Sequence, residues 1–234
     1  MRVSALIVNF NSGSYSVNCI RALRAEADRS GLELEPVVVD NASPRDQRPF
    51  RAEAERLGAR WVDHGWNAGY AAGVNRALRE STGEALLIVN PDVQFLEGSL
   101  APLVAAALRE GVGAAGPNTW WDIHRQIRFP PNVVPSLADL AAQSLAFLWG
   151  FWNRRYAYRR TRAALKIWLA EGDGAAPVLS GGCMVVRRDV FLRVGDLDER
   201  FPLYFEDTDW FVRARALCYR VLPLQDAPVA HFFN

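Results

Sequence analysis

A chain of 234 residues, with 50% apolar and 23% charged side chains and a net charge of +1, suits one α/β domain with a substantial core and is short for two. A charge so close to zero gives no electrostatic reason to expect nucleic acid as a partner. Three scattered cysteines, Cys19, Cys183 and Cys218, without CxxC spacing, argue against a disulfide framework or a structural zinc site and fit a reducing compartment. The first apolar stretch, Val3 to Phe10, is too brief for a signal peptide or a membrane span, so a cytoplasmic protein is expected.

Short apolar runs alternate with longer amphipathic stretches up to about Pro117. Strands are expected at Val3–Val8, Leu34–Val39, Arg60–Val62, Ala85–Val89 and Val112–Ala115, with helices at Ser14–Asp28, Arg45–Leu57, Ala68–Arg79 and Gly98–Arg109. That rhythm is the signature of βαβ units around a largely parallel sheet. Ligands of such sheets bind beyond the carboxyl ends of the strands, which singles out Asn9 in NFNSGS, Asp40 and Asn41 in DNAS, and Asn90 and Asp92 in NPD. After Pro117 the rhythm breaks, and Trp120 to Trp168 reads as a helical insertion or cap at about 120–170 on a single domain spanning 1–234. A strand at Val178–Val186, a short helix at Arg188–Val194, an acidic helix from Glu206 and strand-like pieces at Tyr219–Leu222 and Val229–Phe232 complete the chain.

The polar segments admit structural and functional readings side by side. Neither GxGxxG nor GK[ST] occurs, so nicotinamide and ATPase readings have little support. Asp40 and Asn41 close a strand as an Asx turn or hydrogen-bond a nucleobase. In NAGYAAGVNRAL, Asn67 is the expected N-cap, and Gly69 and Gly73 on one helical face imply close approach of a strand or a nucleotide; Asn67 and Asn75 could donate to phosphate or base. Asp92 either caps the next helix or offers an oxygen to a divalent cation. Gly181 and Gly182 permit close backbone approach. His231 is structural, or it completes with Asp92 a mixed site suited to Mn²⁺ or Mg²⁺. In DERFPLYFEDTDWFVRARA, residues Asp198 to Ala216, the acids Glu206, Asp207 and Asp209 lie among Phe205, Trp210 and Phe211. Such acids complement a helix dipole, or one of them, partly desolvated, serves as a base. Asp209 is expected to pair with Arg213, four residues on.

Taken in order and spacing, LIVNFN, VVVDNAS, NAGYAAGVNRAL, LLIVNPD, SGGCMVVRRDVF, VGDLDERFPLYFEDTDWFVRA and VAHF resemble glycosyltransferase family 2, in particular its bacterial rhamnosyltransferase-like branch. The resemblance covers nearly the whole chain outside Trp120 to Trp168. It implies a GT-A fold, three layers α/β/α around a mainly parallel central sheet, and an inverting transfer of a sugar, rhamnose by the branch, in cell-surface polysaccharide synthesis. The implied donor is a dTDP- or UDP-sugar, and the implied acceptor a hydroxyl of a glycan or a polyprenyl-linked sugar. By this match Asp207 is the base, oriented by Glu206. Asn9, Asp40, Asn41, Asn67, Gly69, Asn75, Asn90, Asp92, Gly181 and Gly182 line the donor site, with Asp40 on the base. Asp92 and His231 hold Mn²⁺ or Mg²⁺, and Tyr204 and Phe205 wall the acceptor subsite. Asn90 stands where the family's DxD motif has its first acid, so one carboxylate holds the metal and weak binding is expected. The chain stops three residues after His231, where relatives continue, so incomplete acceptor binding or membrane docking is also expected.

Between Leu140 and Ala170 there is no acid, while six cations from Arg154 to Lys166 are interleaved with aromatic residues. A peripheral membrane contact through 147–168 fits that composition, as does a solvated face or a dimer contact. Among rival functions, a nucleotidyltransferase would need a glycine-rich basic loop after the first strand, and a glycoside hydrolase two carboxyls flanking one bond. A catalytically impaired nucleotide-sugar-binding or scaffold module would explain Asn90, though not the retention of Asp92, Asp207 and His231.

Overall fold

The structure, a computed structural model, describes residues 1–128, 158, 161–162, 178–201 and 203–232. Its elements run β1 (Arg2–Asn9), α1 (Gly13–Ser30), β2 (Glu33–Asp40), α2 (Arg48–Arg56), β3 (Arg60–Asp63), α3 (Tyr70–Arg79), β4 (Ala85–Val89), β5 (Val93–Phe95), α4 (Leu100–Ala107), β6 (Val112–Trp120), β7 (Cys183–Arg187), α5 (Arg188–Val194), α6 (Glu206–Ala216) and β8 (Arg220–His231). The strands form one sheet in the order β3-β2-β1-β4-β7-β6-β8-β5. From β3 to β4 every pairing is parallel. Beyond β4 the sheet is mixed, with β7 antiparallel to both neighbours, β6 parallel to β8, and β5 antiparallel to β8.

Central strands of such a sheet are covered on both faces and read as continuous apolar runs rather than alternating ones. β1 and β4 do so, and each is buried along nearly its whole length. One face carries α1, α2 and α4 over Ile7, Val38, Leu87 and Val185. The other carries α3, α5 and α6 over Leu6, Val37, Ile88 and Val186. Trp210 and Phe211 belong to this second core, where Trp210 stacks on Phe191 at 5.4 Å. They are packing residues, whereas Phe205, with Tyr204 before it, faces solvent.

Several elements differ from the sequence expectation. β7 starts at Cys183, which leaves 178–182 as a loop. β8 is one strand of 12 residues rather than two pieces, with register shifts that accommodate its prolines, and β5 is an additional edge strand. β6 extends to Trp120, well past Ala115. α3 begins at Tyr70, so Gly69, with φ of +88°, is the N-cap and Asn67 lies before it. Gly73 has its reason in the sheet: a Cβ there would stand 2.8 Å from both methyls of Val8. The expected insertion, including the membrane contact through 147–168, lies outside the described residues apart from 158, 161 and 162, which are helical. Among the described residues no helix is long and apolar enough to cross a membrane.

One buried acid holds two layers together. Glu26 on α1 accepts the backbone N–H groups of Gly98 (3.2 Å), Ser99 (2.8 Å) and Leu100 (3.2 Å), and it pairs with Arg29. It thereby satisfies the orphan donors at the start of α4, a capping role filled from another helix. Glu26→Ala leaves those donors unpaired in a buried setting, at about 1–3 kcal/mol. In a domain of this size each kcal/mol corresponds to about 2–4 °C, and a thermal melt of the variant should show a drop of that order.

Register brings the polar strand ends level with one another. Asn9 pairs with Asp40 across β1 and β2. Val93 pairs with His231 across β5 and β8, and Val89 with Cys183 across β4 and β7. The second pair of registers gathers Asn90, Asp92, the Gly181–Gly182 loop and His231 at one end of the sheet.

Candidate active site

At the ends of β1 and β2, Asn9 and Asp40 form a buried pair. Asn9 Nδ2 donates to Asp40 Oδ1 at 2.6 Å, and its Oδ1 accepts from the hydroxyls of Ser12 and Ser16. Asp40 also accepts the Ser43 N–H at 3.1 Å and the Ser43 hydroxyl at 2.6 Å. The carboxylate therefore closes the turn, as the structural reading holds, and it also borders a cleft of about 530 Å³ with Ser43, Arg45, Gln47, Trp61 and Asp63. Ser43 and Gln47, both bonded to Asn9, carried no signal in the sequence, because their role depends on a partner more than thirty residues away.

Asn41 is buried and fully engaged. Its Nδ2 donates to Asn67 Oδ1 and to the Gly69 carbonyl, both at 3.0 Å, and its Oδ1 accepts the Ala68 N–H. It shapes the loop into α3, at whose entrance Asn67 is exposed. Asn75 departs from the expectation of a pocket-lining residue. It is buried on α3, donates to the Leu197 carbonyl and to Glu199 at 2.9 Å, and accepts the Leu197 N–H at 3.0 Å. With its amide spent on both sides, Asn75 staples the segment that leads to α6.

A second group gathers around Asp92, His231 and Asp207. Asp92 Oδ1 lies 3.1 Å from His231 Nε2, with both side chains nearly sealed from solvent. The Asn90 N–H donates to the Gly182 carbonyl at 2.8 Å. A Cβ on Gly182 would stand 2.9 Å from His231 Cε1 and 3.2 Å from Asn90 Nδ2. A Cβ on Gly181 would stand 2.9 Å from both Cβ and Oδ2 of Asp207. The two glycines thus fit between the Asp92–His231 pair and Asp207, and close backbone approach is the reason for them. The Gly181 N–H donates to Asp207 Oδ2 at 2.8 Å, and the Thr208 N–H and hydroxyl reach Oδ1 at 2.6 and 3.2 Å. Both carboxylate oxygens are held in place; Oδ1 accepts twice from Thr208, while Oδ2 accepts once and keeps one further acceptor site.

Glu206 is only 6% exposed, and its Oε2 is buried with no partner among the described residues. Burial raises its proton affinity; its own N–H opposes this, and the charge of Asp207 adds to it. The turn before it is strained. Tyr204 and Phe205 have φ of +65° and +72°, the left-handed region that costs side-chain-bearing residues about 1–3 kcal/mol each and clusters at functional sites. They stand 70% and 54% exposed beside Asp207. Asp209 takes no part in the site, being paired with Arg213 at 2.8 Å.

A divalent cation would find one carboxylate and one imidazole here, an oxygen and nitrogen set that fits Mn²⁺ or Mg²⁺. Among the described residues no group of three or more His, Cys, Asp or Glu side chains is placed to hold a metal. A cation at Asp92 and His231 would therefore draw its remaining ligands from phosphate and water, the usual arrangement for Mg²⁺.

Residues 4–195 match the sequence profile of Glycosyl transferase family 2. The chain belongs to that family. Among curated relatives of this family 2 protein, the N-acetylglucosaminyl-diphospho-decaprenol L-rhamnosyltransferase of Mycobacterium tuberculosis is 32% identical over 222 residues, covering 86% of this chain and 66% of that protein. The low-salt glycan biosynthesis hexosyltransferase Agl10 of Haloferax volcanii is 24% identical over 217 residues, covering 91% and 61%. The chain thus spans slightly less than two thirds of the length of these relatives. Among solved structures, the mannosyltransferase PcManGT from Pyrobaculum calidifontis, in complex with GDP-Man and Mn²⁺, superposes with a TM-score of 0.70 at 19% identity, over 100% of this chain and 57% of that one. TarS of S. aureus gives 0.67 at 17% identity, over 99% and 36%. At these identities the likeness shows the fold, and the family 2 chain has the GT-A architecture.

Proposed function

We propose that this family 2 protein is an inverting glycosyltransferase that moves a sugar from a nucleoside-diphosphate donor to an acceptor hydroxyl. The observation that carries the reading is the placement of Asp207, held by the Gly181 N–H at 2.8 Å, across the Gly181–Gly182 pair from the Asp92–His231 couple. Asp207 takes the proton of the acceptor hydroxyl as that oxygen attacks the anomeric carbon. The bond from that carbon to the diphosphate oxygen breaks on the opposite face, its electron pair leaves with the nucleoside diphosphate, and the configuration inverts. Asp92 and His231 would hold a divalent cation, which supplies charge neutralisation for a diphosphate leaving group. Asp40, Asn67 and Gly69 border the donor side. Exposed Tyr204 and Phe205 give the acceptor sugar an apolar ledge.

The activity for which the mycobacterial relative is named supports a rhamnosyl donor and a polyprenyl-diphosphate-linked N-acetylglucosamine acceptor; the donor is then dTDP-rhamnose, with UDP-sugars the competing class. An acceptor of that kind is embedded in a membrane, and on this reading the chain works peripherally at the inner face of the plasma membrane. The test is to incubate the chain with Mn²⁺, vesicles carrying N-acetylglucosaminyl-diphospho-polyprenol, and either dTDP-rhamnose or UDP-sugars, and to follow nucleoside diphosphate release. Acceptor-dependent release from one donor is expected, and a folded protein that turns over none of them contradicts the proposal.

A further inference from the structure

The proposed mechanism leaves without a task a polar side chain that meets the Gly181 backbone next to Asp207. Tyr70 is the first residue of α3, directly after Gly69, whose carbonyl is held by Asn41. From there its hydroxyl donates to the Gly181 carbonyl at 3.0 Å, a partner 111 residues later in the chain. Gly181 in turn donates its N–H to Asp207. Burial, followed by the charges of Glu206 and Asp207, pushes the ionisation of Tyr70 well up, so the phenol keeps its proton and acts as a donor.

We infer that Tyr70 is a positioning residue for Asp207, acting through the backbone of Gly181, and that it ties the donor-side entrance of α3 to the base. This inference rests on the reading of Asp207 as the base. The physical case is geometric. Residues 178–182 form a loop rather than a strand, so no ladder of sheet hydrogen bonds fixes the Gly181 peptide groups. Tyr70 holds the Gly181 carbonyl and Asp207 its N–H, beside longer local bonds from the Gly182 N–H to Ser180 Oγ at 3.2 Å and from the Cys183 N–H to the Ser180 carbonyl at 3.3 Å. Gly181 also packs flush against the Asp207 side chain, with no room even for a Cβ. A shift of Gly181 therefore becomes a shift of the carboxylate. Misplacement of a reacting group by about 1 Å costs about 10²-fold in rate, and loss of one anchor allows part of that displacement.

The test is Tyr70→Phe, which keeps the ring and removes the hydroxyl, in the transfer assay with dTDP-rhamnose, Mn²⁺ and the lipid-linked acceptor. The expected result is a fall in kcat of about tenfold, a fraction of the full misplacement effect, with KM for donor and acceptor unchanged within about twofold. The decisive comparison is the double variant with Asp207→Asn. If Tyr70 works through Asp207, Tyr70→Phe adds nothing to the slow residual rate of Asp207→Asn, because coupled residues are non-additive. An equal fold-loss in both backgrounds would mark a general structural role and overturn the inference. A raised donor KM with kcat unchanged would make Tyr70 a donor contact, and an unchanged kcat would leave it no role; both overturn it as well. Failure of the underlying reading looks different, since Asp207→Asn would then turn over like the wild type, and the positioning role would fall with it.

Discussion

Asp207→Asn is expected to lower kcat by about 10²- to 10⁴-fold, the range for a lost general base, with donor affinity unchanged. The substitution preserves shape and removes the capacity to take a proton. It also disturbs the hydrogen bonds, because the carboxylate accepts on both sides, from Gly181 at Oδ2 and from Thr208 at Oδ1. An amide can accept on only one. If its NH₂ faces Thr208, the hydroxyl can rotate, while the Thr208 N–H loses its acceptor; if it faces Gly181, that N–H is orphaned. Either outcome costs about 1–3 kcal/mol where the donor is buried, so a modest drop in melting temperature accompanies the loss of turnover. Initial rates with saturating donor, together with calorimetric donor binding, separate the two effects. Wild-type turnover in the variant would remove Asp207 from the mechanism.

Gly181→Ala is the second large effect, and it acts through geometry rather than charge. Gly181 is not among the glycines with positive φ, so its backbone accepts alanine without strain. The difficulty is the new Cβ, 2.9 Å from both Cβ and Oδ2 of Asp207. Asp207 sits in the first turn of α6, whose Trp210 and Phe211 are locked in the core, so the helix has little freedom to retreat. Relief comes from swinging the carboxylate or the loop, which breaks the Gly181 N–H contact. The overpacking costs about 1–3 kcal/mol, and displacement of the base approaching 1 Å costs about 10²-fold in kcat. Kinetics and a thermal melt on the same preparation should show a folded chain with little transfer activity. Gly83→Ala makes a useful contrast: its Cβ would meet the Ser4 backbone nitrogen at 2.7 Å, far from Asp207 in the fold, so there the stability should suffer.

Much of the architecture is written locally in the chain. β1, β2 and β4 are buried on both faces, and an unbroken apolar run is what that environment demands. The prolines of β8 hid it, because Pro223 and Pro228 read as breaks; they are tolerated where the β6–β8 pairing changes register. β5 has three residues, too few for any periodicity to show. At the candidate site, motif and resemblance singled out Asp92, His231, Gly181, Gly182 and Asp207, and the fold brings these residues near one another; their roles are those proposed above. The bonds of Asn75 to the backbone of residue 197 were not legible, because an asparagine on a helix looks the same in sequence whether it meets a ligand or a distant backbone. Tyr70 and Glu26 were invisible for a related reason: each acts on backbone groups more than seventy residues away, and backbone partners leave no trace in side-chain identity.

The central claim is that Asp92 and His231 help bind the diphosphate of a nucleotide sugar through a divalent cation. Its most direct test is thermal unfolding of the wild type and of Asp92→Ala with thymidine, uridine and guanosine diphosphates, each with and without Mn²⁺. A ligand at a hundred times its dissociation constant adds about 2.7 kcal/mol, or about 5–10 °C for a domain of this size. The expected result is a shift of that order for one nucleotide, thymidine diphosphate if the donor is rhamnosyl, that requires Mn²⁺ and disappears in Asp92→Ala. A shift that persists in Asp92→Ala and without Mn²⁺, or no shift with any of the three, would contradict the assignment.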